Sequence, residues 1–98
     1  MYHWPPIDSP TSWTGSRSYG DADLSGWIGE HHPDMVLSGH VHGPPFKPDG
    51  SWVDRVGRTW VFNPGNQRGP LPTRIEIDLD DHTATWLSMM GIEHADLT

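Results

Sequence analysis

The chain has 98 residues, enough for at most one small domain, and no apolar run approaches the roughly 18 residues of a membrane span. A net charge of −7 disfavours non-specific binding to nucleic acid or anionic membranes, so neither is an expected partner. The lack of cysteine excludes a disulfide framework and a thiolate metal site. The first residues lack the basic and apolar regions of a secretion signal, so we expect a cytoplasmic location.

The supply of core residues is small, because Leu, Ile, Val and Phe make up only 18 of the 98 residues. Ordering a chain of this size costs on the order of 100–200 kcal/mol of conformational entropy. Six tryptophans offset part of the shortage, since each can bury roughly 150–250 Å². We therefore expect the chain to lean on a partner surface or to be a piece of a larger domain.

The first third of the chain predicts a long loop and then a helix. Residues 7–23 are rich in Ser, Thr, Gly, Asp and Pro, which favours a loop. A loop this long in a compact domain is either functional or disordered. It contains Arg17, a candidate for binding a substrate phosphate. Residues 24–30 carry apolar side chains at helical spacing and predict a short helix.

A short apolar strand leads into two histidines. Met35–Leu37 lies between Pro33 and Gly39, and this pattern is consistent with a buried strand. His40 and His42 follow with one residue between them. In an extended backbone their side chains would point to the same side, roughly 7 Å apart. Two metals in a dinuclear hydrolase are about 3.5–4 Å apart, so each histidine could reach a different metal.

The second half predicts short strands. Residues 52–56 and 58–62 flank Gly57 as two strands, and the second runs into an Asn-Pro-Gly-Asn turn. Arg68, in the loop that follows, is a second candidate for binding an anionic substrate. Residues 73–79 and 82–89 alternate apolar and polar positions and predict a terminal hairpin. Residues 90–98 are predicted to be a tail.

Three motifs in this order resemble the C-terminal half of a calcineurin-like metallophosphoesterase. They are His3 ahead of two prolines, a strand leading to Gly-His-Val-His at residues 39–42, and a strand ending in Asn-Pro-Gly at residues 63–65. The resemblance covers nearly the whole chain. It implies that residues 1–98 form part of one α/β domain, a partial metallophosphoesterase β-sandwich. Such a fold would be mostly β-strands, with one short helix and a C-terminal β-hairpin.

The resemblance also implies a metal site and a reaction. His3 and His40 would bind the second of two divalent metal ions and His42 the first, with Mn, Fe or Zn all compatible with imidazole. The Asn-Pro-Gly turn would pack near the site without binding metal. In the family, a metal-activated hydroxide attacks the phosphorus of a phosphate ester. No catalytic residue of this chain matches the family pattern beyond these ligands.

The chain departs from the family in one respect. The family's first half supplies an Asp-x-His, a Gly-Asp and a Gly-Asn-His, and none of these precedes His3. The implied partner is therefore a missing N-terminal half, from the same gene or a separate chain. Without its carboxylates we expect weak metal binding and no activity.

Two alternatives stay open. One is a small metal-binding module that adds Asp8 or His32 to the three histidines as a fourth ligand. The other is an interaction domain without catalysis that uses its tryptophans as hot spots.

Overall fold

A computed structural model describes residues 3–66 and 72–98. Within these ranges the chain is mostly β-strands in two small sheets with one helix, which confirms the α/β class predicted from the sequence. The elements are α1 (Ala22–His31), β1 (Met35–Leu37), β2 (Val53–Val56), β3 (Thr59–Phe62), β4 (Arg74–Asp78), β5 (Thr83–Ser88) and β6 (Gly91–Asp96). Single 3₁₀ turns lie at Pro10–Ser12 and Pro44–Phe46. No helix in the described ranges is long and apolar enough to cross a membrane.

The first sheet has β3 in the centre. β1 pairs with it in parallel, with Leu37 opposite Phe62, and β2 pairs with it antiparallel. The second sheet is an antiparallel meander in the order β4, β5, β6. Because β1 and β3 run in the same direction, the loops that follow them leave the sheet at the same end of the strands.

The first sheet is covered on both faces. On one face, Leu24 and Ile28 of α1 pack against Val36 and Val61. The other face packs against the second sheet. The cluster between the sheets contains Phe62 of β3, Ala84 and Trp86 of β5, Trp52 just before β2 and Leu97 just after β6. Alternate residues of β3 therefore face different layers, as the two-residue period of a strand requires.

The helix begins and ends at recognisable caps. The Asp21 carboxylate accepts hydrogen bonds from the backbone N–H groups of Asp23 and Leu24, at 2.8 and 3.3 Å. His32 ends the helix in the left-handed conformation, with φ 50°, and its N–H donates to Ile28. Capping by Asp21 starts the helix two residues earlier than the apolar spacing predicts.

The prediction of a tail at residues 90–98 is wrong, because residues 91–96 form β6. This strand pairs with β5 along its whole length, and Leu97 beyond it is buried. The outer side of β6 carries exposed Ile92 and His94, so the segment lacks the clean apolar alternation that predicts a strand. Pairing with β5, after a turn at Met89 and Met90, is what orders it.

Candidate functional site

His3 and His40 meet at the carboxyl end of β1, although they are 37 positions apart in the sequence. Their ring centroids are 4.5 Å apart, and His3 Nε2 lies 2.6 Å from His40 Nδ1. At this distance one nitrogen carries the hydrogen that the other accepts. The backbone holds the pair as well, because the N–H of Gly39 donates to the His3 carbonyl at 3.0 Å.

The histidine loop is bent, so the extended geometry predicted for it is wrong. His40 has φ 61°, in the left-handed region, and the N–H of Val41 donates to the Gly39 carbonyl at 2.7 Å. Val41 is buried, while His40 and His42 are exposed. The bend turns Val41 inward, and the positive φ lies at His40 rather than at the neighbouring Gly39.

The structure brings together two of the three predicted metal ligands. Within residues 3–66 and 72–98, no set of three His, Asp or Glu side chains is arranged to hold a metal ion. The role of His42 as a third ligand therefore stays a prediction. The same holds for Asp8, exposed in its loop, and His32, at the end of α1, as alternative ligands.

The His3–His40 pair fits a metal in donor type but not in number. Imidazole nitrogen binds Zn, Mn and Fe, but a closed zinc site takes four ligands. Two nitrogens bound to one tetrahedral metal at about 2.0–2.1 Å would lie roughly 3.3 Å apart. The rings, at 2.6 Å between nitrogens, would have to separate by several tenths of an ångström to bind one ion.

Asn63, at the end of β3, ties the histidine loop to the rest of the fold. Its side-chain amide donates to the carbonyl oxygens of Val41 at 2.8 Å and Thr11 at 2.9 Å, and its Oδ1 accepts from the N–H of Gly65 at 3.0 Å. The side chain is fully buried. The residue between the two loop histidines is thus held by the Asn-Pro-Gly turn.

Gly65 and Asn66 complete this contact. The N–H of Asn66 donates to the His42 carbonyl at 3.0 Å. Gly65 has φ 67°, and a Cβ at this position would lie 2.7 Å from the same carbonyl oxygen. Only glycine allows so close an approach in this conformation.

A cavity of about 500 Å³ lies beside His3, between the ends of β1 and β3 and the strand β4. Its walls are mainly apolar, with Leu37, Phe62, Ile75 and Ile77 contributing side chains from both sheets. Among the described residues that line it, none carries a carboxylate or a guanidinium.

Of the two arginines predicted to bind substrate, Arg17 lies in the described part of the chain. Arg17 is exposed in its loop, where its guanidinium stacks 4.2 Å from the ring centre of Tyr19 and donates to the Tyr19 hydroxyl. It does not line the cavity beside His3. Arg68 lies outside the described residues. Substrate binding by either arginine stays a prediction.

Sequence reasoning gave Trp4 no role in the site. Its indole ring packs at a tilt against the His40 imidazole, with ring centroids 3.8 Å apart and an interplanar angle of 38°. Its position next to His3 in the sequence is the signal that could have pointed to it. The contact itself depends on the approach of residue 40.

No protein-family model matches the sequence, and a search of curated proteins finds no match. A solved structure with some similarity is the crystal structure of TT1561 of Thermus thermophilus, at 19% sequence identity and a TM-score of 0.43. The match covers 98% of this chain and 32% of that chain, so this chain spans about a third of its neighbour's length. Similarity at this level does not establish a shared fold.

Proposed function

We propose that this chain is the C-terminal portion of a dinuclear, metal-dependent phosphoesterase domain of the calcineurin-like type, and that it is inactive on its own. The observation that carries the proposal is the meeting of His3 and His40, whose nitrogens are 2.6 Å apart although the residues are 37 positions apart in the sequence. The motif order that resembles the family predicts this same pair as ligands of one metal. The Asn63 turn beneath the histidine loop is further support.

In the complete domain, two divalent ions, Mn, Fe or Zn, would supply a nucleophilic hydroxide and offset charge on the phosphate oxygens. The residues of this chain would bind the metal ions and orient the loop that carries the ligands. His3 and His40 offer imidazole nitrogens at the end of β1, and His42 is the proposed third. Asn63 fixes the Val41 carbonyl between them. A phosphate ester is the proposed substrate class.

Three features favour an incomplete domain. β1 is an edge strand, and no described strand pairs with its outer side. Leu37 on this strand is 38% exposed, next to the apolar cavity. In the described residues no carboxylate joins the histidine pair. An open edge and an exposed apolar wall are features that further strands would cover, and we propose that an N-terminal half, from the same gene or another chain, supplies them.

A metal-binding module without catalysis is the second candidate, and the same histidine pair favours it. The two candidates differ in stoichiometry and in folding. Zinc-dependent folding with one ion per chain would favour the module. The tryptophan-rich interaction domain has less support, because Trp27 alone among the six tryptophans is largely exposed.

Activity and metal binding test the proposal separately. With an aryl phosphate and added Mn²⁺, we expect the chain to show no turnover above a His42→Ala control. Turnover above that control would contradict the inactivity of the isolated chain. By calorimetry with Zn²⁺, we expect weak binding that His40→Ala abolishes and that His31→Ala, at the exposed end of α1, preserves. Binding insensitive to His40→Ala would contradict the proposed site.

A further inference from the structure

The His40 ring is held on a face as well as at an edge. His3 contacts its Nδ1, and the indole of Trp4 lies 3.8 Å from its centroid. His40 itself is exposed, and its backbone adopts a left-handed conformation that is uncommon for a residue with a side chain. An exposed imidazole without such contacts would sample several rotamers. The contacts with His3 and Trp4 together therefore favour one ring orientation.

The backbone on both sides of Trp4 is anchored by hydrogen bonds. The next two residues, Pro5 and Pro6, are buried, and the Pro5 carbonyl accepts a hydrogen bond from the N–H of Asp21 at 2.8 Å. On the other side, the His3 carbonyl accepts from Gly39 at 3.0 Å. Proline also restricts the backbone of the residue before it. The backbone that carries the indole is thus held in place on both sides.

We propose that Trp4 is a positioning residue for His40, which holds the imidazole with Nδ1 directed at His3 before any metal binds. The inference rests on the proposed function, because this ring orientation matters for function only if His3 and His40 bind metal. Preorganisation raises affinity because part of the ordering of the ligand side chains is done in advance. The two nitrogens then need only separate from 2.6 Å to roughly 3.3 Å to share one ion. Residues that orient metal ligands without touching the metal typically change affinity by roughly 10–100-fold.

The chain contains a matched control. Trp27 contacts His31 at the end of α1 with ring centroids 4.5 Å apart, and Trp27 is 55% exposed. This second Trp–His pair lies on a helix surface and has no partner histidine in the described structure. Replacing Trp27 should change the His31 environment alone.

The first measurement uses NMR of the metal-free chain. In Trp4→Leu, we expect the carbon-bound ring protons of His40 to lose the upfield shift that a stacked indole causes, and the ring to become more mobile. Trp27→Leu should leave the His40 signals unchanged. Trp4→Phe, which keeps an aromatic ring, should retain part of the shift. Unchanged His40 signals in Trp4→Leu would overturn the inference.

The second measurement is Zn²⁺ affinity by competition with a chelator. We expect about tenfold weaker binding in Trp4→Leu, an intermediate value in Trp4→Phe and native affinity in Trp27→Leu. Far-UV circular dichroism confirms that each variant is folded. Native Zn²⁺ affinity in a folded Trp4→Leu would overturn the positioning role. If the native chain binds no better than His40→Ala, the proposed function fails, and the metal-free NMR result alone decides whether Trp4 positions the ring.

Discussion

At the scale of single residues, Asn63 connects more of the site than any histidine does. Its amide uses both donor hydrogens on carbonyl groups of separate segments, Thr11 in the long loop and Val41 between the loop histidines. Its oxygen accepts from Gly65 in its own turn. A buried polar side chain with all these bonds made specifies one loop arrangement, because any other would leave polar groups without partners.

Removal of this amide tests its contribution. Asn63→Ala leaves two buried carbonyl groups and one N–H without their partner, so we expect the free energy of unfolding to fall by about 2–4 kcal/mol. Urea denaturation measures the loss. Asn66→Ala is the control, because that side chain is exposed and the bond of Asn66 to His42 is made by its backbone; about 0.5 kcal/mol or less is expected. Equal effects from the two variants would contradict this role.

At the scale of elements, the second sheet depends on its last strand. β6 pairs with β5 over six positions, and Leu97 just beyond it is 7% exposed in the cluster that contains Trp86. The N–H of Leu97 also donates to the His82 carbonyl at 2.7 Å, at the tip of the β4–β5 hairpin. The end of β6 thus closes the hairpin and covers the core.

The effect of a substitution in residues 91–97 on stability should therefore depend on whether the side chain faces the core or the solvent. Leu97→Ala removes a buried side chain and should lower the free energy of unfolding by about 2–3 kcal/mol. Ile92→Ala changes a residue that is 61% exposed and should lower it by about 0.5 kcal/mol or less. Thermal or urea unfolding compares the two. If Leu97→Ala were as mild as Ile92→Ala, residues 91–97 would not be a structural part of the sheet.

At the scale of the molecule, the first sheet is shared by two cores. Val61 packs toward α1 while its neighbour Phe62 packs toward the second sheet, and both are fully buried. Alternate side chains of this central strand belong to different layers, so a substitution that destabilises the strand should weaken the packing of both layers. We expect the helix layer and the second sheet to unfold together.

Val61→Ala tests this coupling. The loss of two buried methyl groups and the resulting cavity should lower the free energy of unfolding by about 2 kcal/mol. Circular dichroism, which reports α1 and the strands, and the NMR ring signals of Trp52 and Trp86, which report the other core, should show coincident transitions. Separate midpoints for the two probes would show that the layers unfold independently.

Local patterns were enough to predict most of the elements, and the motif order singled out the His3–His40 pair that the fold brings together. The apolar run at 35–37, the two strands around Gly57 and the alternation of Ile75 and Ile77 each act over a few residues, and each predicted strand is present. The order of the histidine and Asn-Pro-Gly motifs pointed to the same end of the first sheet. Such signals are readable because periodicity and turn chemistry are properties of neighbouring residues.

Contacts between distant segments account for what the sequence did not reveal. β6 is ordered by its pairing with β5, and Leu79, the last residue of the segment predicted as a strand, is 69% exposed beyond the end of β4. The bend at His40 and the stacking of Trp4 on it depend on where Asn63 and the first residues dock. Burial, register and ring contacts are set by packing across the fold, and no local pattern encodes them.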